Sequence, residues 1–274
     1  MKQRPVVCHY HIYKNAGTSF DRILRENFGG RHVSFDSPIP FFQINQEQLA
    51  EIVGRNSEIV SLSSHQIHLP TPATLHFRPI SVVFLRHPLL RIRSIFRFER
   101  KAGQEHSANE QSEASAAEFD DWLRSFELSA KSQTVLSNDQ TNHLCRPNMD
   151  GPRSELKHDR WLHNIDQAIS NLSQTHCIGR TEHFDQDIAT FVPILEAFGL
   201  TFETPTGISE NTSSRDFKQP IETQLEMMKA QISEEAWGRL MYLNHQDLEL
   251  YDYASALIAK RQADGYRPYL SENI

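Results

Sequence analysis

A chain of 274 residues with 38% hydrophobic content has room for one large α/β domain or two small ones. Its formal net charge of −7 argues against a broadly polyanion-binding surface without excluding an anionic polysaccharide, so any anionic ligand must be held by local cations such as Lys14 and Arg86. The three cysteines, Cys8, Cys145 and Cys177, are too few and too scattered for a disulfide framework or a zinc cluster.

The first predicted element is an apolar strand from Val6 to Tyr13. It runs into Lys14, Asn15, Ala16, Gly17, Thr18 and Ser19, after which Phe20, Ile23, Leu24 and Phe28 recur on one helical face. Strand, turn and helix in this order form an anion-binding device. Gly17 permits close backbone approach, the helix start offers free amides, and Lys14 adds a mobile charge. In a nucleotide-triphosphate loop the lysine follows the second glycine, whereas here Lys14 precedes the only one. Taken alone, the segment reads equally well as a structural turn.

Ile59 to Leu62 gives a second short strand, followed by His65 and His68. Ile80 to Leu85 reads as a fully buried strand running into Arg86, with Pro88 opening a helix that carries Ser94. Arg86 then stands at a strand's C-terminal end, where open α/β sheets bind ligands, and a planar cation plus a hydroxyl suits a phosphate monoester. Residues 101–117 are almost free of large apolar side chains and read as a flexible insertion or a solvated helix extension.

Phe119, Trp122, Leu123 and Phe126 predict a core-facing helix, as do Trp161, Ile165, Ala168, Ile169 and Leu172. A strand over Thr175 to Gly179 and a helix through Ile188, Phe191, Val192, Leu195 and Phe198, stopped by Gly199, follow. Asn211, Thr212 and Ser213 form a hydroxyl- and amide-rich loop, read either as a turn or as a flap over a nucleotide. From Ile221 to Ala259 the pattern is helical almost throughout. Strands alternating with helices imply a mainly parallel, three-layer α/β sheet in a single domain over residues 1–274.

The two strand-end segments together resemble the sulfotransferases that use 3′-phosphoadenosine 5′-phosphosulfate (PAPS), in the carbohydrate branch with the heparan and chondroitin O-sulfotransferases and their bacterial relatives. The first motif of that family is similar to H-I-P-K-T-A-G-T-S. It stands here as His11 to Ser19, with Tyr13 for proline and Asn15 for threonine. The second, similar to L-R-[DH]-P-x-x-R-x-x-S, stands complete from Leu85 to Ser94. Weaker echoes lie at Ile178 to Phe184, Glu210 to Ser213 and Asp247 to Tyr251.

The resemblance implies a P-loop-like sulfotransferase fold and transfer of a sulfuryl group from PAPS to a hydroxyl, leaving PAP. Residues 14–19 would grip the 5′-phosphosulfate, Arg86 and Ser94 the 3′-phosphate, and Asn211 to Ser213 would cover the nucleotide. Lys14 would stabilise the leaving phosphate. His65 is the first candidate for the general base, His68 the second and a carboxylate the third, because a neutral imidazole is available near pH 7.

A glycan acceptor is the expected partner, with no nucleic acid and no integral membrane segment. The N-terminal apolar run is too short for a signal core or a span, and the cysteine usage suits a reducing compartment, so a cytoplasmic location is expected. His9 and His11 alternate on the first strand without an evident third ligand, so no metal is expected, and His11 is expected to pack beneath the loop. His87 is expected to orient its turn. Arg91 and Arg93 read as solvated helix charges, though Arg91 matches a frequent arginine of the family, and Gln140 and Asn142 read as acceptor contacts. A P-loop nucleotide kinase and a non-catalytic PAP- or glycan-binding protein remain the competing readings.

Overall fold

The computed structural model describes residues 3–39, 42–104, 116–127, 135–145, 151–152, 164–204 and 219–266. Its centre is a five-stranded, all-parallel sheet, flanked by helices as the alternating pattern predicts. The strands are β1 (Pro5–Tyr10), β2 (His32–Ser34), β4 (Ser61–Ser64), β5 (Arg78–Leu85) and β7 (Cys177–Arg180), in the order β2-β4-β1-β5-β7. A separate antiparallel pair joins β3 (Phe42–Gln43) to β6 (Gly151–Pro152). β1 lies centrally, with β4 on one side and β5 on the other, so the strand order reverses beside it. Open α/β sheets bind ligands outside the carboxyl ends of the strands at such a point.

Side chains of β1 alternate between two cores, as a strand's period of two requires. Val6, Cys8 and Tyr10 join Leu62, Val83 and Leu85 on one face. There they pack with α2 (Gln46–Arg55), α6 (Ile165–Ser173) and α10 (His245–Ala263) through Leu49, Leu172 and Leu250. Val7, Val82 and Phe84 face the other way, against Phe20 and Leu24 of α1 (Gly17–Phe28) and Phe191 of α7 (Phe184–Ala197). A third cluster joins α3 (Pro88–Gln104), α4 (Ala116–Glu127), α8 (Ile221–Ala230) and α9 (Glu234–Leu243). Cys8 and Cys177 are buried free thiols.

Several elements depart from the sequence pattern. β1 ends at Tyr10, because Lys14 and Ala16 take left-handed backbone angles (φ 66° and 61°) that turn the chain out of the sheet. β4 is Ser-Leu-Ser-Ser, two residues later than the apolar run suggests, and it is fully buried. Its serines are tolerated because each has a side-chain partner: Ser61 with His32 (2.9 Å), Ser63 with His9 (2.8 Å) and Ser64 with Asp36 (2.8 Å). β2, α2 and the short α5 (Asp139–Cys145) have no counterpart in the expectation.

α3 continues to Gln104, so residues 101–104 of the expected insertion are helical and 116–117 open α4, while 105–115 lie outside the described residues. The long C-terminal helical stretch is three helices, the second opened by Ser233, whose hydroxyl accepts from the Ala236 amide at 3.0 Å.

Candidate active site

Contacts along the C-terminal edge of the sheet follow the strand order. Asp36 follows β2 and His65 follows β4; His65 Nδ1 lies 2.9 Å from Asp36 Oδ2. His11 follows β1, and its ring stacks on that of His65 with centroids 3.8 Å apart. Across β1 and β5, the Arg86 guanidinium donates to the Lys14 carbonyl at 3.1 Å. Across β5 and β7, Arg86 Nε stands 3.6 Å from Glu182 Oε1.

The β1 loop wraps over the His11 ring, as expected. Gly17 is required there because a Cβ would overlap that imidazole. Among the described residues no side chain caps the N-terminus of α1. Thr18 is exposed and Ser19 buried at this opening turn, whose first amides lack intrahelical partners and favour an anion. Lys14 is half-buried, with Nζ 4.3 Å from the centre of the Phe98 ring. Burial, and after it the Arg86 charge, lowers the Lys14 pKa.

Asn15, expected to touch the donor, turns inward. Its amide donates to the Phe84 carbonyl (2.9 Å) and to Gln140 Oε1 (2.7 Å), and its backbone N–H bonds Ile12 O. Gln140 is fully buried rather than an acceptor contact. Its oxygen also accepts from the Arg86 N–H and its amide donates to the Arg86 carbonyl, both at 2.9 Å, so one side chain brackets the two ligand loops. Asn142 is likewise buried. Asp247 of α10 holds this bracket in place by accepting from the Gln140 and Thr141 amides at the start of α5.

Two further corrections concern arginines. Arg91 is fully buried rather than solvated, bonding the carbonyls of Tyr13 (3.0 Å) and Val135 (2.9 Å) and pairing with Asp139. Arg93 is buried against Gln224 of α8. Arg86 is buried at the end of β5; desolvation pushes its pKa down to about 10, against the opposing pull of Glu182, and it stays charged at neutral pH. Glu182 also accepts from the His87 N–H and the Tyr251 hydroxyl, which fixes the turn that His87 was expected to orient. Ser94 is half-buried on α3. Asn211, Thr212 and Ser213 lie outside the described residues.

The two candidate bases differ sharply. The His65 side chain is 41% exposed. His68 is buried, edge-on to His143 at 4.6 Å. The third group that the sequence did not bring to His9 and His11 is Asp21 of α1. Asp21 Oδ1 lies 3.1 Å from His9 Nδ1, which also bonds Ser63, while His11 Nδ1 stands 3.9 Å from Asp21 Oδ2, so the three groups cluster under the loop.

Asp36, Asp21 and Glu182 were missed as site residues, and Gln140 was named only as an acceptor contact. Only Glu182 carried a signal, since it lies in one of the weaker family echoes. Among the described residues no helix is long and apolar enough to cross a membrane. A family model described as "Sulfotransferase family" matches residues 1–254. An uncharacterized protein of Archaeoglobus fulgidus is 24% identical over 254 residues, which cover 91% of this chain and 95% of that protein. With the parallel sheet, the uncapped helix after β1 and the basic strand end beside it, this match makes the chain a member of the sulfotransferase family.

Proposed function

We propose that this protein, acting as a single domain over residues 1–274 with an insertion near 101–117, transfers the sulfuryl group of PAPS to a hydroxyl of a carbohydrate or glycoconjugate in the cytoplasm. One observation carries the reading: a half-exposed imidazole, His65, stands beside a lysine-bearing loop that opens an uncapped helix. Ala16, Gly17, Thr18 and Ser19 meet the 5′-phosphosulfate, chiefly through amides and hydroxyls. Arg86 and Ser94 recognise the 3′-phosphate, with Asn211, Thr212 and Ser213 over the nucleotide. The inward turn of the Asn15 side chain leaves it a bracing role in the loop.

In the reaction the acceptor oxygen forms a bond to sulfur as the bond from sulfur to the bridging phosphate oxygen breaks. Lys14 neutralises charge on the departing PAP, and the acceptor proton passes to Nε2 of His65. The burial of His68 favours His65 for this role. Tyr13 and Phe98 present exposed aromatic faces beside Lys14, a surface suited to the C–H face of a sugar ring.

Screening acceptors with labelled PAPS tests the reaction. His65→Ala is expected to keep PAP affinity by calorimetry and to lose about 10²–10⁴ in kcat. Wild-type turnover in the folded variant removes His65 from the chemistry, and a wild-type protein that fails to bind PAP removes the donor.

A further inference from the structure

We propose that Asp36 is a positioning residue for the base, fixing His65 with its proton on Nδ1 and its Nε2 lone pair towards the acceptor; this rests on His65 being the base. A single carboxylate makes three contacts there. Oδ2 lies 2.9 Å from His65 Nδ1, while Oδ1 accepts from the His65 backbone N–H at 2.9 Å and from the Ser64 hydroxyl at 2.8 Å. An ionised carboxylate can only accept, so Nδ1 must donate and Nε2 is left as the acceptor nitrogen. Hydrogen bonds from Ser64 and His65, above all the side-chain bond to His65, hold the Asp36 pKa below the usual carboxylate range against the cost of burial. It therefore stays ionised wherever the base is at work.

Although Asp36 itself is exposed, its backbone surroundings are firm. Phe35 N–H bonds the Ser63 carbonyl at 3.1 Å. Gln66 spans the following turn, accepting from the Ser37 N–H at 2.6 Å and donating to the Ser37 and Ile39 carbonyls. The imidazole plane is set from the other side by His11, stacked at 3.8 Å and tilted by 27°. Burial, and after it the neighbouring His9 and His65, push the His11 pKa well below the usual histidine range, so His11 stays neutral under the base. Among the described residues, the titratable groups in contact with His65 are Asp36 after β2 and His11 after β1, with His9 of β1 and Asp21 of α1 behind His11.

When His65 takes up the acceptor's proton, the imidazolium is paired at once with Asp36. Removing that charge makes the imidazole a weaker base and moves the acidic limb of kcat to lower pH. Loss of a carboxylate that orients a functional histidine typically costs about 10–100-fold in activity. Asp36→Asn is therefore expected to lower kcat about 10–100-fold, leave the donor KM near wild type and shift the acidic limb downward.

A second measurement does not depend on Asp36→Asn folding. Nitrogen-15 spectra of the wild-type imidazoles, with His65 assigned by its loss in His65→Ala, should show Nδ1 protonated and Nε2 bare at neutral pH. Protonated Nε2 overturns the proposal, as does an Asp36→Asn enzyme with unchanged kcat and an unmoved limb. If His65→Ala loses transfer and Asp36→Asn does not, only the positioning role falls. If His65→Ala retains transfer, the base assignment falls and the positioning role with it.

Discussion

The two halves of the sheet's C-terminal edge are built on opposite principles. On the β2-β4-β1 side, His65 and Asp36 meet in a pair whose side chains are about 40% exposed. On the β1-β5-β7 side, Arg86, Glu182 and Gln140 form a dry hydrogen-bonded frame that grips the backbone of the ligand loops. Groups that must exchange a proton with an incoming molecule need access to it. Groups that hold a loop in left-handed geometry need to be locked, because Lys14 and Ala16 sit where residues other than glycine are strained. One edge thus combines an accessible proton acceptor with a rigid cradle.

The largest effect is expected in the frame. Arg86→Ala removes one partner of a buried pair, takes from Glu182 the cation closest to it in the frame and frees the Lys14 carbonyl. Breaking such a pair costs about 3–5 kcal/mol, so thermal denaturation should show a steep loss of stability alongside weakened PAP binding. A variant that melts like the wild type would show that the frame is dispensable. Lys14→Ala should behave in the opposite manner. Its ammonium rests on the Phe98 ring rather than in the frame, so melting should stay near wild type while kcat falls about 10²–10³. If stability drops and turnover does not, the division between cradle and chemistry is misdrawn.

A third effect spans both halves. Burial holds His32, His87 and His176 down to about 4, and His11 lower than the ordinary range as well. Below about pH 6.5 the unfolded chain takes up protons that these folded imidazoles refuse, so stability should decline as pH falls from 6.5 towards 4. The lowered carboxylates, Asp21 and Asp36, add a separate loss only as pH falls below about 4. Urea midpoints at several pH values check this, and His87→Phe should flatten the slope. A wild-type midpoint that stays constant between pH 7 and pH 4.5 contradicts it.

Legibility in the sequence followed hydrophobicity. β1, β5 and β7 and the helices with apolar stripes could be read because burial of a continuous face leaves a periodic trace. β4 was displaced and β2 overlooked, since buried serines and a three-residue edge strand leave none. The capping pair Asn45 and Gln48 and the helical spacing of Leu49, Ile52 and Val53 both mark α2 in the sequence, yet the helix was overlooked. Arg91 and Arg93 were misjudged for a related reason. A buried guanidinium is tolerated only when carbonyls and a carboxylate surround it, and those partners come from residues 13, 135, 139 and 224, which no local pattern connects.

By itself, the sequence determined the fold class and the placing of Lys14, Gly17 and Arg86 at strand ends, because strand, turn and helix signals are local. It also determined family membership, carried by two contiguous motifs. Only the tertiary structure decided which histidine is accessible, that Asp36 meets His65, and that Gln140 ties the two loops together. Those contacts span 29 to 125 residues of sequence. They exist because parallel strands bring the ends of β2, β4, β1, β5 and β7 to one edge in an order different from that of the chain.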